Sequence, residues 1–294
     1  MTIFRPAYES DLKAMYEVFY QNEIRDSPDL PPPRHIPPYM RHVLQTGTLS
    51  VAEQDGEIIA FAGAITREKI TFLTDLFVLP AHQSKQLGKT LLQSTLPQDN
   101  LIHCTIGSPD PRALALYIRA GMRPQWPYIV LVLERPAHKW EALPHIQIVE
   151  AAPDDPALVH WDAQISGRKR PTDHSHWVHE QQAVPLWFQQ EGQTIGYEYV
   201  RLAGTETLWY PEAYALGPIG ASTEDIATAC VLAATDWALR QTQTVLLGVP
   251  GPHPCLTPLL ARGFHIIDIE TFLSSAQKPF FDPQCYVPSG GDLF

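Results

Sequence analysis

Residues 78–90, Val-Leu-Pro-Ala-His-Gln-Ser-Lys-Gln-Leu-Gly-Lys-Thr, have side chains whose types and spacing suit anion chemistry. An apolar run over 71–77 precedes them and Leu91-Leu-Gln-Ser-Thr95 comes after, an order that reads as strand, tight polar turn and helix. A turn of this kind aims free backbone N–H groups and the positive end of a helix at one point, where a phosphate can sit. Gln83, Ser84, Lys85 and Lys89 add side-chain donors, Gln86 and Leu87 complete the turn, and Gly88 permits close backbone approach. As bare chemistry this is a candidate anion cradle.

A strand over 101–106 and a short helix from Asp110 to Ala120 come next, with Gly121 as its C-cap and Pro124 just beyond. Val78, Pro80, Gln83 and Gly88 match the pattern Val-x-Pro-x-x-(Gln/Arg)-x-x-Gly-x-(Gly/Ala). After the strand, Ala113, Leu116, Tyr117, Gly121 and Met122 match Asn-x-x-Ala-x-x-Leu-Tyr-x-x-x-Gly-(Phe/Met). In both halves of this pattern, at this spacing, the chain resembles the GNAT superfamily of acyl-CoA-dependent N-acetyltransferases. Two residues depart from it: Gln86 stands where the first loop glycine belongs, and Asp110 where Asn is usual. If the backbone at Gln86 needs a positive φ, a non-glycine residue costs on the order of 1 kcal/mol, less than about tenfold in affinity.

The resemblance implies acetyl-CoA as co-substrate, no metal, and an amine acceptor that is a small molecule or a peptide. It implies that the pantetheine arm pairs with the strand edge at Phe77 and Val78, that a backbone N–H near Phe77 meets the acyl carbonyl, and that the cradle from Gln83 to Lys89, with Asp110, Ala113 and Tyr117, completes the cofactor site. The amine would attack the thioester directly, with Tyr117 protonating the departing thiolate; a core tyrosine is the plain alternative. Asp75 is the one carboxylate near enough in sequence to be the base. The alternative is an exposed strand-edge aspartate, with a chain of waters as base. A non-catalytic CoA-binding or scaffold protein with a decayed site is the rival reading, and transfer of a longer acyl chain a third.

Other elements must position these residues. Tyr8-Glu-Ser-Asp11 opens a helix to about Glu23, with Leu12, Met15, Tyr16 and Phe19 on one face. Six prolines between 28 and 38 make a stiff loop before a short helix at 39–44, and strands at 49–53 and 58–65 flank the hairpin turn Asp55-Gly56. A strand over 127–133 closes the first half, and 135–144 reads as a linker. The second half repeats the order: strand 146–149, helix from 157, strands at 184–188, 194–201 and 208–216, helix 224–240, strand 244–249, helix 255–262, Gly263-Phe264, and a strand from His265. The expected fold is α/β: two tandem GNAT-like domains, each a mostly antiparallel twisted mixed sheet flanked by helices, over 1–135 and 145–275. A tail at 276–294, without periodicity, is expected to drape over the surface.

The second half reads as degenerate. Where the first has Gln83 to Lys89, it has Ser222-Thr-Glu-Asp-Ile-Ala227, whose carboxylates would repel a pyrophosphate, and Leu259 stands at the Tyr117 offset. Asp162 and Arg170 suggest a structural ion pair. His174, His176 and His179 invite a metal, but their spacing suits neither one helix face nor one strand face, so a polar loop is expected. Trp161, Trp177, Trp187, Trp209 and Trp237 are expected mostly in the core.

A hydrophobic fraction of 45% supplies two cores, and 18% charged residues argue against disorder. A formal charge of −11 without a basic run argues against nucleic-acid and membrane partners. Four scattered cysteines, no signal core and no long apolar run suggest a soluble cytoplasmic protein, a monomer or homodimer.

Overall fold

The computed structural model describes residues 1–26, 35–83, 86–97, 101–134, 146–203, 209–291 and 293–294. Ser84, Lys85, most of the proline-rich loop, the 135–144 linker and Leu208 lie outside the described residues. The chain divides into two compact units, Met1–Thr105 with Leu293 and Ile106–Asp292 with Phe294.

The first unit runs β1 (Thr2–Pro6), α1 (Leu12–Asp26), α2 (Pro38–Thr46), β2 (Thr48–Gln54), β3 (Glu57–Arg67), β4 (Ile70–Val78), α3 (Leu87–Thr95) and the start of β5 (Ile102–Gly107). Strands β1 to β4 pair antiparallel in chain order, and β5 joins β4 in parallel. Asp55 and Gly56 turn the β2–β3 hairpin with φ of 52° and 85°, the positive pair that Asp-Gly adopts readily. The carboxylate of Asp11 accepts from the Tyr8 N–H at 2.8 Å and from Arg5 at 2.7 Å, tying the start of α1 to β1. Leu87 and Leu91 of α3 pack on Ala52, Ile59, Ala60 and Ala62. Each such leucine contributes about 1.5–3 kcal/mol of apolar burial. Strand alternation turns Phe61 to the other face, where its ring stacks on Phe77, itself edge-on to Phe19 of α1.

The second unit contains α4 (Pro111–Arg119), β6 (Arg123–Glu134), β7 (Gln147–Glu150), α5 (Pro156–Ser166), α6 (Pro171–His179), β8 (Val184–Gln190), β9 (Gln193–Arg201), β10 (Tyr214–Ala221), α7 (Glu224–Leu239), β11 (Thr244–Pro250), α8 (Leu256–Ala261), β12 (His265–Ser274) and β13 (Tyr286–Val287). Its sheet runs β12-β6-β11-β10-β9-β8-β7, with β13 on β10. The β10–β11 pair is parallel, and β6 lies antiparallel between β11 and β12.

Four features differ from the sequence expectation. Strand β6, expected to close the first half, hydrogen-bonds to β11 and β12. Strand β10 begins at Tyr214 and continues through Gly217-Pro218, a cis peptide, to Ala221. Pro218 donates no N–H, and it is accommodated because the register shifts by a bulge at that point. Residues 171–179 form helix α6, opened by Pro171 and not a polar loop. The tail enters the core: Phe281, Tyr286, Val287 and Phe294 are buried, and β13 pairs with β10. Trp177 and Trp187 are buried, whereas Trp209 is exposed. The cysteines Cys104, Cys230, Cys255 and Cys285 are free thiols. No helix among the described residues is long and apolar enough to cross a membrane.

Candidate active site

In the first unit, β4 and β5 share rungs at Ile70↔Ile102, Thr71↔His103 and Phe72↔Cys104. The Thr105 hydroxyl then donates to the Leu73 carbonyl at 2.9 Å. Just beyond, β4 bulges: Leu73 faces Ala64 on β3, while Asp75 faces Gly63, which leaves Thr74 as the extra residue. A bulge bends the strand that carries it. From Asp75 to Val78 the β4 backbone keeps its ladder with β3 but has no rung in the β5 register.

Asp75 is 5% exposed, not an open edge carboxylate. Its oxygens accept from the Tyr39 hydroxyl at 2.8 Å and the Thr74 hydroxyl at 2.7 Å. Gly63 makes the room for this arrangement. A Cβ there would stand 2.5 Å from the Thr74 hydroxyl and 3.0 Å from an Asp75 oxygen. The sequence gives no sign of either Tyr39 or Gly63, because each meets Asp75 through a non-local contact.

The turn after β4 is braced from within. The Gln83 side-chain amide donates to the Val78 carbonyl at 3.3 Å and to Asn22 Oδ1 at 3.0 Å. Asn22, on α1, donates to the same Val78 carbonyl at 3.1 Å. The expected outward donor therefore points its N–H groups into the unit. Gln86, the residue before α3, has φ 63° and ψ 4°, the left-handed conformation that glycine adopts without penalty. Its side chain makes no capping hydrogen bond to the head of α3. Gln86 and Lys89 are exposed, Gly88 is half-buried, and Leu87 is buried.

Asp110, Ala113 and Tyr117 belong to the second unit. Asp110 caps α4, accepting from the Arg112 N–H at 2.8 Å, and its carboxylate pairs with the Arg112 guanidinium at 2.6 Å. Aspartate serves here as asparagine would, since a cap needs an acceptor. Ala113 is half-buried and Tyr117 buried. A Cβ on Gly107 would lie 3.0 Å from the Tyr117 ring. Gly121, at φ 95°, ends the helix, and the Met122 N–H donates to the Tyr117 carbonyl at 3.1 Å.

The second half repeats this ending with different chemistry. Gly263 also has φ 95°, and the Phe264 N–H donates to the Leu259 carbonyl at 3.2 Å. The suspected ion pair is present and fully buried: Arg170 grips Asp162 through two bonds of 2.8 and 2.7 Å. Tyr197 donates to Asp162 at 2.6 Å, and His174 lies 3.2 Å from it on one side and 2.6 Å from the Tyr199 hydroxyl on the other. Burial alone would raise the Asp162 carboxyl, but the Arg170 charge and hydrogen bonds outweigh it and hold it well below the usual range. The histidine segment thus supplies a structural network. His174 and His176 are buried, and the half-exposed His179 meets Asp154 at 3.0 Å. Among the described residues no three His, Cys, Asp or Glu side chains are grouped as a metal site. Glu198 on β9 is buried with neither carboxylate oxygen hydrogen-bonded, and burial raises its carboxyl well above the usual value.

The Acetyltransferase (GNAT) family model matches residues 10–122, the segment from α1 through the cradle to the end of α4. This segment belongs to the GNAT family. Solved structures extend the likeness in fold to the rest of the chain. A proposed acetyltransferase of Pyrococcus horikoshii is 15% identical, with TM-score 0.72 over 100% of this chain and 96% of that one. A GCN5-related N-acetyltransferase from Sphaerobacter thermophilus is 16% identical, with TM-score 0.63 over 96% of each chain. A tandem GNAT protein from the clavulanic acid biosynthesis pathway is 16% identical, with TM-score 0.62 over 95% of this chain and 100% of that one. At these identities the structures show the fold, and the fold is a GNAT acetyltransferase fold with tandem relatives. No curated protein matches the chain.

Proposed function

We propose that the GNAT segment binds acetyl-CoA at the turn between β4 and α3 and transfers the acetyl group to a primary amine of a small-molecule or peptide acceptor. The observation that supports this best is the β4 edge beyond its bulge, without a β5 rung, running into a helix head that has no side-chain cap. A strand edge without a β5 rung suits an extended, amide-bearing arm, and a helix head to which the Gln86 side chain makes no hydrogen bond suits a pyrophosphate. In the reaction the amine nitrogen attacks the thioester carbonyl carbon and the C–S bond breaks. One proton leaves the amine and one reaches the thiolate. Tyr117, by the family pattern, is the proposed acid. Asp75, held by Tyr39 and Thr74, is the candidate base, directly or through water. No metal takes part in this scheme. The four free thiols and the acidic surface suit a soluble cytoplasmic enzyme.

The rival is a CoA-binding or scaffold protein without turnover, favoured by the left-handed Gln86. Its backbone penalty, on the order of 1 kcal/mol, is too small to abolish binding. Calorimetric titration with acetyl-CoA and desulfo-CoA, beside Gly88→Glu, separates the readings. Glutamate in the first turn favours the helix itself, so this variant should fold and lose binding. Binding without turnover across an amine screen supports the CoA-binding form of the rival, and no binding by the wild type refutes the enzyme reading and leaves the scaffold form.

A further inference from the structure

The second half contains the same splayed strand pair as the first. Strands β10 and β11 share only the rungs Tyr214↔Val245 and Ala215↔Leu246 before β10 bulges at Gly217-Pro218. Past that point the edge of β10 is taken: Ile219 pairs with Val287 and Gly220 with Tyr286, and the Ala221 N–H donates to the Cys285 carbonyl at 2.9 Å. We infer that residues 280–289, which pair as a strand at Tyr286–Val287, are a built-in plug that permanently fills the second half's equivalent of the acyl-CoA cleft, so that the chain binds one acyl-CoA and not two. The stoichiometry rests on the function proposed above, whereas the filling of the cleft does not.

The fit of this segment is specific at both ends. Gly167, at the end of α5, has φ 75°, and a Cβ on it would come within 1.9 Å of the Phe280 carbonyl oxygen. Gly217, in the bulge, has φ 125°, and a Cβ on it would come within 2.4 Å of the Pro288 carbonyl oxygen. Two glycines are thus placed where the segment's backbone passes closest. Between them, the Tyr286 hydroxyl accepts from Arg170 at 2.5 Å, and the Ser289 carbonyl accepts from buried Arg201. Phe281 packs edge-on against Phe272 and Trp126. Strand addition of this kind covers an edge that would otherwise pair with another chain or ligand.

The charge at the head of α7 points the same way. A cleft of about 480 Å³ remains there, lined by Ser222, Phe280, Asp282 and Cys285 among others. Burial first, then Asp282 and Glu224, push the Cys285 thiol up to about 11, so both carboxylates bear on this mouth. A pyrophosphate would meet negative charge here, and the pantetheine path beyond is filled by protein.

Hydrogen exchange of the intact chain, read on peptides covering 280–290 with and without saturating acetyl-CoA, tests this together with the titration stoichiometry. The expected result is exchange as slow as in β9 under both conditions, at least about a hundredfold slower than at the exposed Asp55-Gly56 turn, with one acetyl-CoA per chain. Exchange as fast as at that turn, protection lost on adding acetyl-CoA, or two molecules bound per chain would overturn it. If no acetyl-CoA binds, the proposed function fails, and the exchange rates alone decide whether the cleft is filled.

Discussion

In β4 the bulge comes two residues after the last rung shared with β5, and in β10 it comes two residues after the last rung shared with β11. Up to this point the two halves share one plan, an antiparallel meander that ends in a parallel neighbour. Beyond the bulge they part. There β4 has no β5 rung among the described residues, and it leads toward a helix head bearing Gln86, Gly88 and Lys89. The second unit covers the edge of β10 with β13 and opens α7 with Glu224 and Asp225. A duplicated scaffold therefore need not duplicate a site. On the proposed function, an occupied strand edge and acidic residues at one helix head are what distinguish the second half from the first.

The comparison breaks most visibly through stability. Arg170→Ala strands the buried Asp162 carboxylate and should cost about 3–5 kcal/mol, whereas Arg112→Ala, at the exposed Asp110 pair, should cost at most about 1 kcal/mol. Urea unfolding of both variants checks this, and similar losses would deny the second unit its buried anchor. The Asp162 contribution has a definite pH window. Its folded pKa is lowered from 3.8, so its stabilisation is present above that value and lost as pH falls through the lower folded one.

A second buried carboxyl should behave in the opposite sense. Glu198 has its pKa raised from 4.5, so the folded state is favoured with the proton on, and stability is lost as pH rises above that value. Relative to Glu198→Gln, the wild type should weaken as pH rises above 4.5, with a slope of at most about 1.4 kcal/mol per pH unit. A gap that stays constant over this range would show that Glu198 finds a charged-state partner.

Smaller effects belong to the ligand. Gly88→Glu should weaken acetyl-CoA binding by at least about a hundredfold, since unit charges 4 Å apart near a surface repel by about 4 kcal/mol. The double change Glu224→Gln with Asp225→Asn should create no second site, because β13 still covers β10. A second binding event in that variant would give charge, and not occupancy, the deciding role. Gln86→Gly should tighten binding by less than about tenfold by relieving about 1 kcal/mol of left-handed backbone strain. Unchanged affinity would mean that the Gln86 side chain returns in contacts what its backbone costs.

Much of this was legible from residues near one another in the chain. The Asp-Gly hairpin, the helix ends at Gly121 and Gly263, the Asp110 cap and the cradle's strand-turn-helix order all arise from local conformational preference and short-range hydrogen bonding. The positive φ at Gln86 could be stated as a condition, and the structure met it. The Asp162–Arg170 pair was suggested by its residue types, but its tyrosine and histidine partners were not. The histidine segment was misread because its spacing was judged for one ligand point. In the helix, His174 is held between Asp162 and the Tyr199 hydroxyl, and His176 is buried.

What the sequence by itself determined is most of the elements, though not α6 or β13, the family pattern over the first half and the acidic head of α7, because periodicity, turn residues and charge are local properties. Tertiary structure alone decided the partners. It set β6 between β11 and β12, turned Gln83 onto Val78 and Asn22, closed Gly63 over Asp75, and drew β13 onto the edge of β10. A strand's free edge can accept any segment that reaches it, and its hydrogen bonds do not depend on side-chain type. Which segment arrives is settled by packing far along the chain, where Gly167 and Gly217 leave room and Arg170 and Arg201 supply the donors.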